Sequence, residues 1–132
     1  MELTVEQADY LAAHHWAALA TGRKDGSPQM SMIGYAWDGQ SIIVSFRRYS
    51  AKHHNISRQA RVALLVPDGR RALTVYGDAE VLEDDPRRVD AFSKMLASFG
   101  APAASHDELA RQMDEEARVV VRIAPASADL HE

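Results

Sequence analysis

No cysteine occurs in the 132 residues. Disulfides, thiolate metal sites and cysteine nucleophiles are therefore excluded together, and the chain suits a reducing cytoplasm. Long apolar runs are missing too. No segment approaches the roughly 20 residues a membrane-spanning helix needs, so no membrane partner is expected. The opening stretch, MELTVEQADY, carries acids early and has no apolar core, so it does not read as a secretory signal. A cytoplasmic location is expected. Positive charge is in deficit, with 15 Lys and Arg against 19 Asp and Glu, a net charge of −4. A nucleic-acid partner is therefore not expected. Lysine is the scarcer cation, 3 against 12 arginines, a compositional hint of a GC-rich bacterial genome. No repeat or low-complexity tract is visible. What remains is ordinary globular composition, 46% hydrophobic and 26% charged, of a length that suits one domain over residues 1–132.

The hydrophobic period changes along the chain. Thr4 and Gln7 have the spacing of a capping box, and Val5, Ala8, Leu11 and Ala12 follow at helical spacing. A first helix is predicted to about His15. Strands are predicted over residues 16–22, 28–37, 41–46, 62–66, 71–82 and 119–123. Turns at Asp25-Gly26, Asp38-Gly39 and Asp68-Gly69 separate several of them. Residues 71–82 alternate most clearly. Leu73, Val75, Gly77, Ala79 and Val81 share one face, and Thr74, Tyr76, Asp78 and Glu80 share the other. Helices are predicted at 51–58, with Ser50 as N-cap, from Asp85-Pro86 to Gly100, and at about 106–116. The sum is a mainly β fold with short helices, a small antiparallel barrel of six strands.

Residues 46–61, FRRYSAKHHNISRQAR, hold Arg47, Arg48, Lys52, Arg58 and Arg61 and no acid. One account is a solvated basic face balanced by the acidic segment 107–116. The other is an anion site. Ser50 caps a helix whose first N–H groups point outward, and Lys52 sits in its first turn, an arrangement that suits a phosphate. The histidine pairs His14-His15 and His53-His54 are adjacent, so their side chains diverge by about 100° on a helix. No H-E-x-x-H occurs, and no metal site is expected. No G-x-S-x-G, G-x-G-x-x-G or Walker A pattern is present. Alternation puts Met30 and Met32 on one face of a strand and Tyr35 and Trp37 on the other. Core packing is the leading account of these four, and a planar-ligand pocket is the rival.

LATGRKDGSPQMSMIGYAWDGQSIIVSF, SAKHHNISRQARVALLV and LTVYGDAEVL, in that order, resemble the flavin-binding split-barrel superfamily. This is the pyridoxamine 5'-phosphate oxidase-like group, and the similarity lies with its short actinobacterial flavin/deazaflavin oxidoreductases. The likeness spans about residues 16–82, with a weaker echo in the last strand. The most characteristic run is a small residue at Ala51, then Lys52, two further residues, and Asn55.

The resemblance implies a six-stranded split β-barrel and a homodimer with two cofactor sites across the subunit interface. It implies a flavin or deazaflavin with its phosphate end near Lys52, Ser50, Ala51 and Asn55. Where many deazaflavin-binding relatives carry an arginine two positions before the lysine, this chain has Ser50, and Arg47 or Arg48 is the expected substitute. Pro28, Met30, Met32 and Ser45 are placed at the ring by resemblance alone. Arg23, Lys24, Arg70 and Arg71 are expected to join the basic cluster and receive an acidic cofactor tail. The chain lacks the Arg/Trp-rich segment that binds the pyridoxal ring in pyridoxamine phosphate oxidase itself, so vitamin B6 synthesis is not expected. The implied function is hydride transfer from reduced coenzyme F420 to a small-molecule electron acceptor, a quinone, enone or biliverdin-like tetrapyrrole. The alternatives are FMN in the same groove, or a non-catalytic carrier or haem-binding protein with His53 or His54 as axial ligand.

Overall fold

The computed structural model describes residues 2–132. Its elements in chain order are α1 (Val5–Ala13), β1 (Trp16–Gly22), β2 (Pro28–Gly34), β3 (Ala36–Trp37), β4 (Ile42–Arg47) and α2 (Ala51–Arg58). There follow β5 (Arg61–Asp68), β6 (Arg71–Leu82), α3 (Arg87–Ser98), α4 (His106–Glu115) and β7 (Arg118–His131).

All seven strands form one antiparallel sheet in the order β2-β1-β5-β6-β7-β4-β3. Its two outermost strands, β2 and β3, follow each other in the chain with only Tyr35 between them. The sheet therefore curls into a split barrel closed through a single segment. Six strands were expected and seven are found because the predicted strand 28–37 is divided at Tyr35. The Tyr35 amide leaves the ladder and donates to the carbonyl of His15 (2.9 Å), while its hydroxyl donates to the carbonyl of Leu11 (2.9 Å). Before the break the segment pairs with β1; after it, with β4.

The core has two layers. Leu19, Ile33, Ile42, Val44, Leu64, Leu73, Val75 and Val121 fill the barrel, and Leu11 of α1 plugs one end. Ile43 and Val120 point to the other side of their strands and pack beneath Val89, Phe92 and Met95 of α3 and Met113 of α4. Fully apolar stretches such as Ile42-Ile43-Val44 are thus sandwiched between barrel and helices.

Local chemistry sets the helix starts. Thr4 accepts from the Gln7 amide (3.1 Å) and the Gln7 side chain accepts from the Thr4 amide (3.0 Å), a complete capping box. Ser50 accepts from the His53 amide (3.3 Å), which fixes the start of α2. On β6 the alternation reads as predicted, with Val75 and Gly77 buried and Tyr76 and Asp78 exposed. The final strand is far longer than the apolar run 119–123, because β6 supplies it with partners as far as His131.

Candidate functional site

Three elements meet where β1 ends. The hairpin joining β1 to β2 carries Arg23, Lys24 and Asp25. Gln29 follows on β2, and α2 presents Ala51, Asn55 and Arg58, spaced four and three residues apart on one helical face. Together they line an open cleft of ≈ 400 Å³. Three of its seven residues are cations and one is a carboxylate. Asp25 is already engaged by Ser27, through the amide (2.9 Å) and the hydroxyl (2.6 Å), and these bonds hold its carboxyl below the usual range.

Asn55 organises the cleft floor. It is buried, and its amide nitrogen donates to Thr21 Oγ1 (3.0 Å) and Gln29 Oε1 (3.1 Å). Its oxygen accepts from Arg58 Nη2 (3.1 Å), which also donates to the Gly22 carbonyl (2.7 Å).

On the far side of the hairpin, a shallower depression of ≈ 220 Å³ is lined by Pro28, Gly22, Ala20, Ala63, Arg61 and Tyr76, among others. It belongs to a wider outer face. Register pairs Pro28 with Gly22, Met30 with Ala20 and Met32 with Ala18, so these side chains stand together on the outside of the sheet. Met30, Met32 and Trp16 are each 62% exposed and Tyr76 is 48% exposed. Core packing, the leading account of Met30 and Met32, therefore does not hold for them; it holds for Tyr35, which is fully buried.

The expected site residues divide into groups. Ala51 and Asn55 reach the cleft. Lys52, one residue round the helix from Ala51, is half-buried with its Nζ 5.6 Å from the centre of the Phe46 ring, a cation–π contact. Ser50 is the helix cap. The Arg47 guanidinium donates to the carbonyl of Glu116, so part of the basic segment does lean on the acidic helix α4. Arg48 is exposed, and its backbone amide donates to the Ala117 carbonyl (2.7 Å). Ser45 donates to the Val119 carbonyl (2.9 Å) and does not line the cleft. Pro28, Met30 and Met32 gather on the outer face, opposite Gln29.

Two expected contributions to the basic cluster are corrected. Arg70 and Arg71 sit at the β5–β6 turn, at the other end of the strands from the cleft. Seven residue steps along β5 separate Arg61 from Asp68, about 23 Å of extended chain. There Arg71 pairs with Glu6 of α1 (2.8 Å). Arg61 is also engaged, paired with Asp78 across the β5–β6 ladder (3.0 Å). Lys52, the cation expected at the phosphate, does not line the cleft, whereas Arg58 later on the same helix does. The signal for this lies in the sequence, since positions 51, 55 and 58 share a helical face.

His53 leans on Phe46 with ring centres 6.5 Å apart, and its Nδ1 is enclosed without a hydrogen-bond partner. Burial first, then the nearby Arg48 and His54 charges, push its pKa below the ordinary value. Among the described residues, no group of three or more His, Asp or Glu side chains converges as a metal site would require. No helix among them is long and apolar enough to cross a membrane.

The order and curl of the sheet define a split barrel. The family model for pyridoxamine 5'-phosphate oxidase matches residues 3–132, and the chain belongs to that family. Its fold is similar to that of a conserved hypothetical protein from Mycobacterium tuberculosis, with 26% identity, a TM-score of 0.82, and coverage of 100% of this chain and 86% of that one. An F420 reductase is likewise 26% identical, with a TM-score of 0.73 over 96% of this chain and 98% of that one. The heme storage protein HutZ from Vibrio cholerae shares the fold at 18% identity, with a TM-score of 0.76 over 99% of this chain and 94% of that one. A search of curated proteins gave no match.

Proposed function

We propose that this chain is an oxidoreductase that binds coenzyme F420 and passes hydride to a conjugated organic acceptor of the quinone, enone or biliverdin type. It works as a cytoplasmic homodimer. The observation that carries this reading is the juxtaposition of two surfaces across the β1–β2 hairpin. On one side lies a cleft with Arg23, Lys24 and Arg58; on the other, an exposed apolar face with Pro28, Met30, Met32 and Tyr76. A phosphorylated tricyclic cofactor needs both. Its phosphate calls for cations and a polar cradle, and its ring calls for an apolar platform that excludes water. The residues present thus fit the group. Arg23, Lys24 and Arg58 would hold the phosphate, with the Ala51 end of α2 beside it. Pro28, Met30 and Met32 would lie against the ring. When bound, the deazaflavin would supply the hydride chemistry; the chain binds, orients and shields. The 26% identity to an F420 reductase over nearly the full length of both chains supports this choice.

One observation favours FMN as the second reading. With Arg61 and Arg71 paired elsewhere and Arg70 at the far turn, the cleft keeps three cations beside one carboxylate. That suits a single phosphate better than a polyacidic tail.

Fluorescence titration with oxidised F420 and with FMN, each at low and high salt, separates the two. The expected result is tighter F420 binding that weakens as salt rises, because exposed charge pairs are screened. Arg58→Ala should lose more affinity than Lys52→Ala, since Arg58 lines the cleft and Lys52 lies over Phe46. Stronger FMN binding would put the second reading first. No binding of either would overturn both.

A further inference from the structure

We propose that Asn55 is a positioning residue. Its buried amide holds the Arg58 guanidinium over the cleft, and Arg58 so held sets the affinity for the cofactor's phosphate. This deepens the reading above and rests on it.

The hydrogen-bond account of Asn55 is nearly complete within the chain. Both amide protons have protein acceptors, Thr21 Oγ1 on β1 and Gln29 Oε1 on β2, and the oxygen has a protein donor, Arg58 Nη2. Asn55 is 6% exposed. A side chain that offers a ligand no free proton is poorly suited to bind an oxyanion. Arg58 is the reverse case. Its Nη2 is tied to Asn55 Oδ1 and to the Gly22 carbonyl, while Nε and Nη1 have no protein partner among the described residues. A guanidinium is planar, so two bonds at one nitrogen fix the direction of the remaining N–H groups. A free arginine would lose side-chain entropy on gripping an anion; this one has lost much of it in advance. The neutral amide matters as well. A carboxylate at position 55 would pair with Arg58 and cancel its charge.

The test is a double-mutant cycle read by fluorescence titration with F420 and with FMN, across a salt series, on the full chain. Arg58→Ala should weaken binding by about 10-fold or more and flatten its salt dependence. Asn55→Ala should do the same, and the double variant should bind no worse than Arg58→Ala alone. Losses that multiply in the double variant would overturn the proposal, because Asn55 would then act independently of Arg58. If Asn55→Ala fails to fold, Asn55→Asp serves in its place. It should flatten the salt dependence through its pairing with Arg58, and a salt dependence like that of the wild type would overturn the proposal. Wild-type binding together with undiminished binding by Arg58→Ala would overturn it while leaving the functional reading intact. A wild type that binds neither cofactor overturns both.

Discussion

His14 can satisfy both ring nitrogens only as an imidazolium. Its Nδ1 lies 2.7 Å from the Tyr10 carbonyl and its Nε2 lies 3.0 Å from Asp68 Oδ2. Both partners are pure acceptors, so each nitrogen must carry a proton. The Tyr10 carbonyl is the main reason its pKa stands above the ordinary 6.5. The hydrogen bond and charge of Asp68 add to this, while burial and Arg71 oppose it. The ring also stacks on Tyr10, with centres 4.1 Å apart, and sits at the C-terminal end of α1, where a cation is favoured. A folded-state pKa above the unfolded one stabilises the fold fully below pH 6.5, and that contribution is lost as pH rises through the higher folded value. Thermal melts of wild type and His14→Gln should therefore differ most in mild acid and converge in mild alkali. A stability gap that stays constant or grows with pH would count against the imidazolium.

At the scale of elements, Gly77 shows why one position on β6 tolerates no side chain. A Cβ there would run into the carbonyl oxygen of Ala124 and meet Ile123 Cγ2 at 3.0 Å. The register shifts at this point, from Tyr76 opposite Ser127 to Gly77 opposite Pro125, and so leaves Ala126 unpaired in a bulge. Pro125 fits there because a bulge spares it a ladder bond it cannot make. Gly77→Ala should cost roughly 1–3 kcal/mol, read as a lower denaturation midpoint with the fold retained; an unchanged midpoint would mean that β7 moves aside freely. The sequence placed Gly77 on the inward face of its strand but could not show what stood opposite, since the partner is nearly fifty residues away. The same limit explains the other misses. The capping box at Thr4 and the Ser50 cap are local, and so they were legible. The break at Tyr35 depends on bonds to His15 and Leu11. Residues 124–131 alternate only through alanines and Leu130, too weak an apolar signal to extend the strand past residue 123 without the pairing that β6 supplies. Of the residues that line the cleft, Ala51 and Asn55 were named by the family resemblance. The removal of Arg70 and Arg71 required the strand directions, Thr21 entered only as a partner of Asn55, and Gln29 required the pairing of β2 with β1 that brings it to the cleft.

At the scale of the whole molecule, the outer sheet face is the surface that most needs covering. Ile43 offers no such surface, although its neighbour Ile42 points the opposite way, because it is sealed beneath α3 and α4 within the same chain. Across β1 and β2 the case is different. Trp16, Met30 and Met32 project together from the β1–β2 pair, and Tyr76 extends the patch across β5 to β6. Grouped exposed apolar side chains of this kind mark interaction surfaces. A two-fold pair of chains would cover two such faces at once and bring each cleft beside its neighbour. The wild type should accordingly run as a dimer in light scattering at micromolar concentration. The double change Met30→Asp and Met32→Asp places charge on the shared face twice over, once per subunit, and should yield monomers with unaltered secondary structure. The same variant should also lose cofactor affinity, although Arg23, Lys24 and Arg58 are untouched, if the ring lies between subunits. A dimer that survives the change would move the interface elsewhere on the barrel, and a wild-type monomer would remove the need for an interface at this face altogether.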